Sequence, residues 1–186
     1  MEEAKQLKRH YFIGIPIPTQ VAKIAEEFQK EYSLHKTYKV LTHEEDLHVT
    51  LLYLGAVEEQ QLPAVKNQLA EIAKKTASLS LSINGLSYFG AKNGPRVVYL
   101  AVSDNHSLTK LQREINATIP SLLGMPKTDR FVPHVTIAKK RKTQESQIIE
   151  KQPFNPIDIS VPSFSLFTIH PEKSPKYEAI ATFTLR

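Results

Sequence analysis

The chain has 186 residues, 41% hydrophobic and 23% charged, which fits one globular domain or two small lobes. It has no cysteine, which excludes disulfides, thiolate nucleophiles and cysteine zinc sites. The formal net charge of +5 suits either a lysine-rich surface or a polyanionic partner such as RNA or a phosphate ester.

The opening MEEAKQLKRH is charged and lacks the apolar core of a secretory signal. The longest nearly uninterrupted apolar stretch, 49–57, is about half of a membrane span. A cytoplasmic protein that does not enter a membrane is therefore expected. Residues 11–17, YFIGIPI, read as a short apolar strand stopped by Pro16 and Pro18. Residues 19–32 place Val21, Ile24, Ala25 and Phe28 at helical spacing, with Thr19 as a candidate cap. Residues 46–55, DLHVTLLYLG, form a strand closed by Gly55, and 58–75 form a helix that tolerates Pro63 in its first turn. Residues 78–85 alternate with period two, as a half-exposed strand does.

The order then recurs. A strand is expected at 95–103, a helix at 104–119 capped by Asp104 or Asn105, and a strand at 131–140, FVPHVTIAKK. A short helix at 143–151 and strands at 158–169 and 176–186 follow, the last two joined by the turn-rich HPEKSP. His48 and His134 are 86 residues apart, and this shift superposes strand on strand and helix face on helix face. The chain therefore reads as a β-α-β-α-β unit used twice, at about 10–90 and 94–186. Longer loops near 33–46 and 120–130 precede the two HVT strands and could carry substrate contacts.

His-x-Thr occurs three times, where chance predicts fewer than one occurrence. His35-Lys36-Thr37 lies in a polar stretch and reads as coincidence. His48-Val49-Thr50 and His134-Val135-Thr136 each open an apolar run at equivalent places in the repeat. In a strand, residues i and i+2 share a face, so each His projects beside its Thr, with the valines opposite. Leu52 and Leu54 are expected to continue the His48 face into the core. Such a pair at the entry of a buried strand can line a cleft without sealing polar groups inside.

Two histidines without a third convergent ligand make a poor zinc site, so neither metal nor cofactor is expected. Glu44, Glu45 and Asp46 lie nearby, but a loop cluster of this kind is expected to be solvated. Two imidazoles across a cleft suit phosphodiester opening, which needs a base for the attacking oxygen and an acid for the leaving oxygen. Thr50 and Thr136 could donate to the non-bridging phosphate oxygens. Spacing does not say which histidine plays which role.

The paired HVTL (48–51) and HVTI (134–137), with YFIGIPIP, RFVPHVTIAKK and the closing FSLFTIHPEKSPKYEAI, resemble the 2H phosphoesterase superfamily. The likeness is to its LigT-like branch of RNA 2′,3′-cyclic phosphodiesterases, once called 2′-5′ RNA ligases. The resemblance implies an α+β, bilobal fold with mainly antiparallel sheets around a central cleft, and no metal. It implies hydrolysis of 2′,3′-cyclic phosphates to 2′-phosphomonoesters, with His48 as proton donor and His134 as acceptor. That branch often places arginine after the second motif, whereas Lys139, Lys140 and Arg141 follow here.

Arg130 resembles a family position and is a candidate phosphate contact. Tyr177 could line the cleft or stack on a base. Arg96 is a weaker cation candidate. Phe12 and Phe131 are expected in the core and His170 at the surface, and His10, His43 and His106 carry no motif. The substrate is expected to be an RNA end or a cyclic nucleotide, and the protein a monomer. A binding module without turnover, and a 2′-5′ ligase or 2′-5′ phosphodiesterase, remain as alternatives.

Overall fold

A computed structural model describes residues 8–186. Nine strands in it form one sheet: β1 (His10–Pro16), β2 (Tyr38–Leu41), β3 (His48–Ala56), β4 (Leu79–Ala91), β5 (Gly94–Val102), β6 (His134–Arg141), β7 (Gln152–Val161), β8 (Ser163–Ile169) and β9 (Tyr177–Thr184). Three α-helices accompany them: α1 (Ala22–Glu31), α2 (Leu62–Lys75) and α3 (His106–Leu123). The strand order is β7-β4-β5-β6-β3-β1-β8-β9, with β2 on β6, and every neighbouring pair is antiparallel. This is the expected α+β, antiparallel class. Among the described residues no helix is long and apolar enough to cross a membrane.

The two HVT strands meet at the centre of this order. Their recorded pairing is the single position Val49↔Val135. Each side draws on both halves of the chain: β8 and β9 join β1 and β3, while β4 and β7 join β5 and β6. Apolar residues at helical spacing bury one stripe of each helix: Ala22, Ala25 and Phe28 in α1; Val65, Leu69 and Ile72 in α2; Leu108, Leu111, Ile115 and Ile119 in α3. α1 packs against β6 and α3 against β3.

A β-bulge interrupts each HVT strand just beyond its threonine. The pairing of β1 with β3 steps from Gly14↔Thr50 to Ile13↔Leu52, leaving Leu51 as the extra residue. The pairing of β5 with β6 steps from Tyr99↔Thr136 to Val98↔Ala138, leaving Ile137. An extra residue reverses the alternation. Val49, Leu51, Leu52 and Leu54 are therefore all buried, while Tyr53 is 53% exposed. The expectation that Leu52 and Leu54 continue the His48 face is corrected here: the bulge turns them to the helix side, and Tyr53 takes the open face. The carbonyls at the two bulges also take a side-chain donor from a helix, and that of Ile137 accepts the Thr42 N–H as well, at 3.0 Å. Gln112 Nε2 of α3 donates to the Leu51 carbonyl at 3.3 Å, and Gln29 Nε2 of α1 donates to the Ile137 carbonyl at 2.9 Å.

Several local expectations change. Residues 143–151 are not helical. Tertiary bonds take the backbone instead: Gln147 N–H donates to the Asn93 carbonyl at 3.0 Å, and the Arg141 guanidinium donates to the Thr143 carbonyl at 3.2 Å and to that of Glu145. The expected strand 158–169 is two strands, β7 and β8, on different sides of the sheet, divided at Pro162, which has no N–H to give a ladder. The expected loop 33–46 contains β2. Thr19 starts a 3₁₀ turn and makes no side-chain cap. Asn105, not Asp104, caps α3 by accepting from Leu108 N–H at 2.9 Å, and the helix runs on through Pro120 to Gly124, whose φ of 64° ends it.

Candidate active site

His48, Thr50, His134 and Thr136 lie on the open face of the sheet, around the Val49↔Val135 pair. In an antiparallel register each histidine then stands across from the other strand's threonine. All four are partly accessible, whereas the two valines between them are fully buried. The structure thus gathers the four residues that the motif singled out.

The two imidazoles are held alike. His48 Nδ1 lies 2.7 Å from the Asp46 carbonyl, and His134 Nδ1 lies 2.7 Å from the Val132 carbonyl. A carbonyl only accepts, so Nδ1 carries a proton in both rings. The atom free to gain or lose a proton is therefore Nε2 in each. His48 Nε2 is 2.9 Å from Thr50 Oγ1, which donates to it when the ring is neutral.

Aromatic rings wall both imidazoles. Phe12 lies 4.6 Å and Tyr177 5.1 Å from the His48 centroid, the latter perpendicular; Phe89 and Tyr99 lie 4.9 and 5.2 Å from that of His134. Burial pushes the His48 imidazole down from its usual 6.5 to about 4; the Asp46 carbonyl opposes this, and positive charge on Lys139 and His134 adds to it. Burial also lowers His134, opposed by the Val132 carbonyl. Burial thus disfavours the charged form of both rings, and a negative charge brought beside them favours it.

Tyr177 stands edge-on to His48, with ring centroids 5.1 Å apart. Arg130 is exposed in the coil leading into β6, and no hydrogen bond joins it to the cleft among the described residues. Arg96 is exposed on β5, and His170 pairs with Glu178 at 2.6 Å. Phe131 packs against the core. Phe12 is 3% exposed, yet its ring forms part of the site wall.

Sequence reasoning passed over several supporting residues. Asp46 is not solvated but 5% exposed: its carboxylate accepts the backbone N–H of Lys176 at 2.8 Å and of Tyr177 at 3.1 Å. Gly14 sits opposite Thr50, and a Cβ there would lie 3.0 Å from the Val49 carbonyl and 3.2 Å from the Phe12 ring. The bare backbone lets Phe12 lie against His48. Phe167 stacks on Phe12 at 4.8 Å, and Phe89 supports His134. Lys139 follows the second bulge onto the open face and donates to the Tyr177 hydroxyl at 3.2 Å. The double apolar steps Leu51-Leu52 and Ile137-Ala138, which break period two, were the available signal for Tyr53 and Lys139. Lys140 is exposed, and Arg141 is committed to the loop after β6. Among the described residues no three His, Asp or Glu side chains converge as a metal site.

The fold is shared with solved structures. A protein of Thermus thermophilus superposes with a TM-score of 0.81 at 25% identity, over 95% of this chain and 98% of that one. Escherichia coli LigT, solved with 3′-AMP, superposes with a TM-score of 0.79 at 18% identity, over 96% and 98%. These likenesses define an antiparallel α+β fold, shared with LigT. The profile of the 2′-5′ RNA ligase superfamily matches residues 17–171, and the chain belongs to that family, one of 2H phosphoesterases. Relatives named RNA 2′,3′-cyclic phosphodiesterase include one from Bacillus subtilis, 33% identical over 96% of this chain and 98% of its own length. Another, from Geobacillus stearothermophilus, is 32% identical over 96% of this chain, which spans only 58% of that relative's length. With relatives of that name at 32–33% identity over most of this chain, the chain is a hydrolase.

Proposed function

We propose that this protein is a metal-independent phosphoesterase that opens 2′,3′-cyclic phosphates, on RNA ends or nucleotides, to 2′-phosphomonoesters. The observation that carries the reading is the matched pair of imidazoles, each locked at Nδ1 by a carbonyl and set on adjacent strands around the Val49↔Val135 pair. The names of the relatives supply the substrate class.

The order of roles follows the family resemblance. His134 Nε2 accepts a proton from water as its oxygen bonds to phosphorus. The bond from phosphorus to the 3′-oxygen breaks, and His48 Nε2–H protonates that oxygen. Acid and base stand on different strands, as displacement with entry and departure on opposite sides of phosphorus requires. The phosphate's charge offsets the burial that keeps His48 neutral, so substrate binding itself favours the protonated acid. Thr50, Thr136 and Lys139 hold the non-bridging oxygens, with Lys139 taking the place of the family's usual arginine as a point charge rather than a fork. Tyr177 packs behind His48, and Arg130 serves the substrate at the cleft mouth.

Incubation with a 2′,3′-cyclic nucleotide in EDTA tests this. A 2′-phosphomonoester is the expected product. A 3′-phosphomonoester, or binding with no product, would contradict it.

A further inference from the structure

We infer that the open face carries a second nucleotide subsite, built on Tyr53 and His10, which holds a base upstream of the cyclic end. The proposal rests on the reading of His48 as the acid. The leaving oxygen, and the nucleotide it belongs to, then lie over the β3–β1 side of the cleft.

One end of that cleft is crossed by the hydrogen bond from Lys139 to Tyr177 at 3.2 Å, and the start of β9 is fastened there by Asp46. Along β3 in the other direction the open face runs from half-buried His48 and Thr50 to Tyr53, one of three large apolar side chains left exposed among the described residues. Tyr53 is the strand partner of Phe12, whose ring walls His48, so the two positions share this face. The ring is positioned rather than loose. Its hydroxyl is hydrogen-bonded to His10 Nδ1 at 2.7 Å, and its edge lies 3.7 Å from where a Cβ on Gly55 would stand. Gly55 has a φ of 66°. In the matching place beyond the second bulge stands Lys139, which reaches the site.

An exposed, hydrogen-bonded tyrosine ring on the path out of a phosphate site suits one ligand well: the face of a nucleobase in single-stranded RNA. Five residues of strand separate Tyr53 from His48, at most roughly 16 Å. A span of that order suits a short chain better than a single nucleotide seated at His48. Tyr53 therefore distinguishes RNA ends from free cyclic nucleotides.

The experiment compares wild type, Tyr53→Ala and Tyr53→Phe on a 2′,3′-cyclic mononucleotide and on a tetraribonucleotide ending in a 2′,3′-cyclic phosphate. Tyr53→Ala should raise KM for the tetranucleotide on the order of tenfold and leave the mononucleotide's kinetics unchanged. Tyr53→Phe keeps the stacking face but loses the bond to His10, and its KM for the tetranucleotide should fall between those of wild type and Tyr53→Ala. Equal effects on both substrates, or none on either, would overturn the subsite. If wild type turns over neither substrate, the acid–base reading fails. The subsite is then judged by binding of a 3′-phosphate-ended tetranucleotide, where equal affinity of wild type and Tyr53→Ala overturns it and weaker binding by Tyr53→Ala supports it.

Discussion

The carboxylate of Asp46 accepts the backbone N–H of Tyr177 at 3.1 Å, across 131 positions of sequence. The same residue's carbonyl lies 2.7 Å from His48 Nδ1. One buried residue therefore sets both the orientation of an imidazole and the position of the ring packed against it.

Asp46→Ala leaves two backbone donors without their acceptor. It should cost roughly 1–3 kcal/mol in denaturant unfolding and lower kcat by loosening Tyr177 against His48. Asp46→Asn keeps one acceptor oxygen and should lose less in both measurements. An Asp46→Ala protein as stable and as active as wild type would show that the link is idle.

Gly14→Ala places a methyl against the Val49 carbonyl at the central seam, which has little room to yield. A stability loss on the order of 1–3 kcal/mol is expected, together with reduced kcat as Phe12 is pushed from His48. Thermal unfolding and steady-state kinetics of the variant check both parts.

Lys139→Gln removes the cation from the open face and should raise KM for a cyclic nucleotide. Lys139→Arg should retain most of the affinity. A variant with unchanged KM and kcat would remove Lys139 from the phosphate site.

Both histidine pKa values lie below 6.5 in the free cleft, and catalysis needs one ring protonated and one neutral. The kcat/KM profile should therefore be bell-shaped with its basic limb already falling below pH 6.5, whichever ring holds the proton. Bound phosphate raises both values, so the kcat profile should sit at higher pH. Stability has its own sign. Between pH 6.5 and about 4 the unfolded chain holds more protons at His48 than the folded one, so stability rises with pH in that window and falls on acidification. Inorganic phosphate should offset part of the fall. A pH-independent melting temperature across this range, or matching kcat and kcat/KM profiles, would contradict the assignment.

The motif carried most of the chemistry in plain view, because period two forces His48 and Thr50, like His134 and Thr136, onto one face wherever the strands pair. The sheet order was not legible. Nothing local says that β8 leaves β7 at Pro162 to join β1, because that choice is made by long-range pairing. The supporting residues were hidden for similar reasons. Asp46 looked like part of a solvated acidic loop until the distant 176–177 backbone arrived to meet it. The 143–151 helix failed because the tip of the β4–β5 hairpin offered the backbone other partners.

The most direct test of the two-imidazole claim is turnover of a 2′,3′-cyclic nucleotide in EDTA by wild type, His48→Ala, His134→Ala and the double variant. Each single change should lower kcat by about 10²–10⁴ with circular dichroism unchanged, and the double variant should be little worse than the singles. Near-wild-type turnover by either folded single variant would contradict the account.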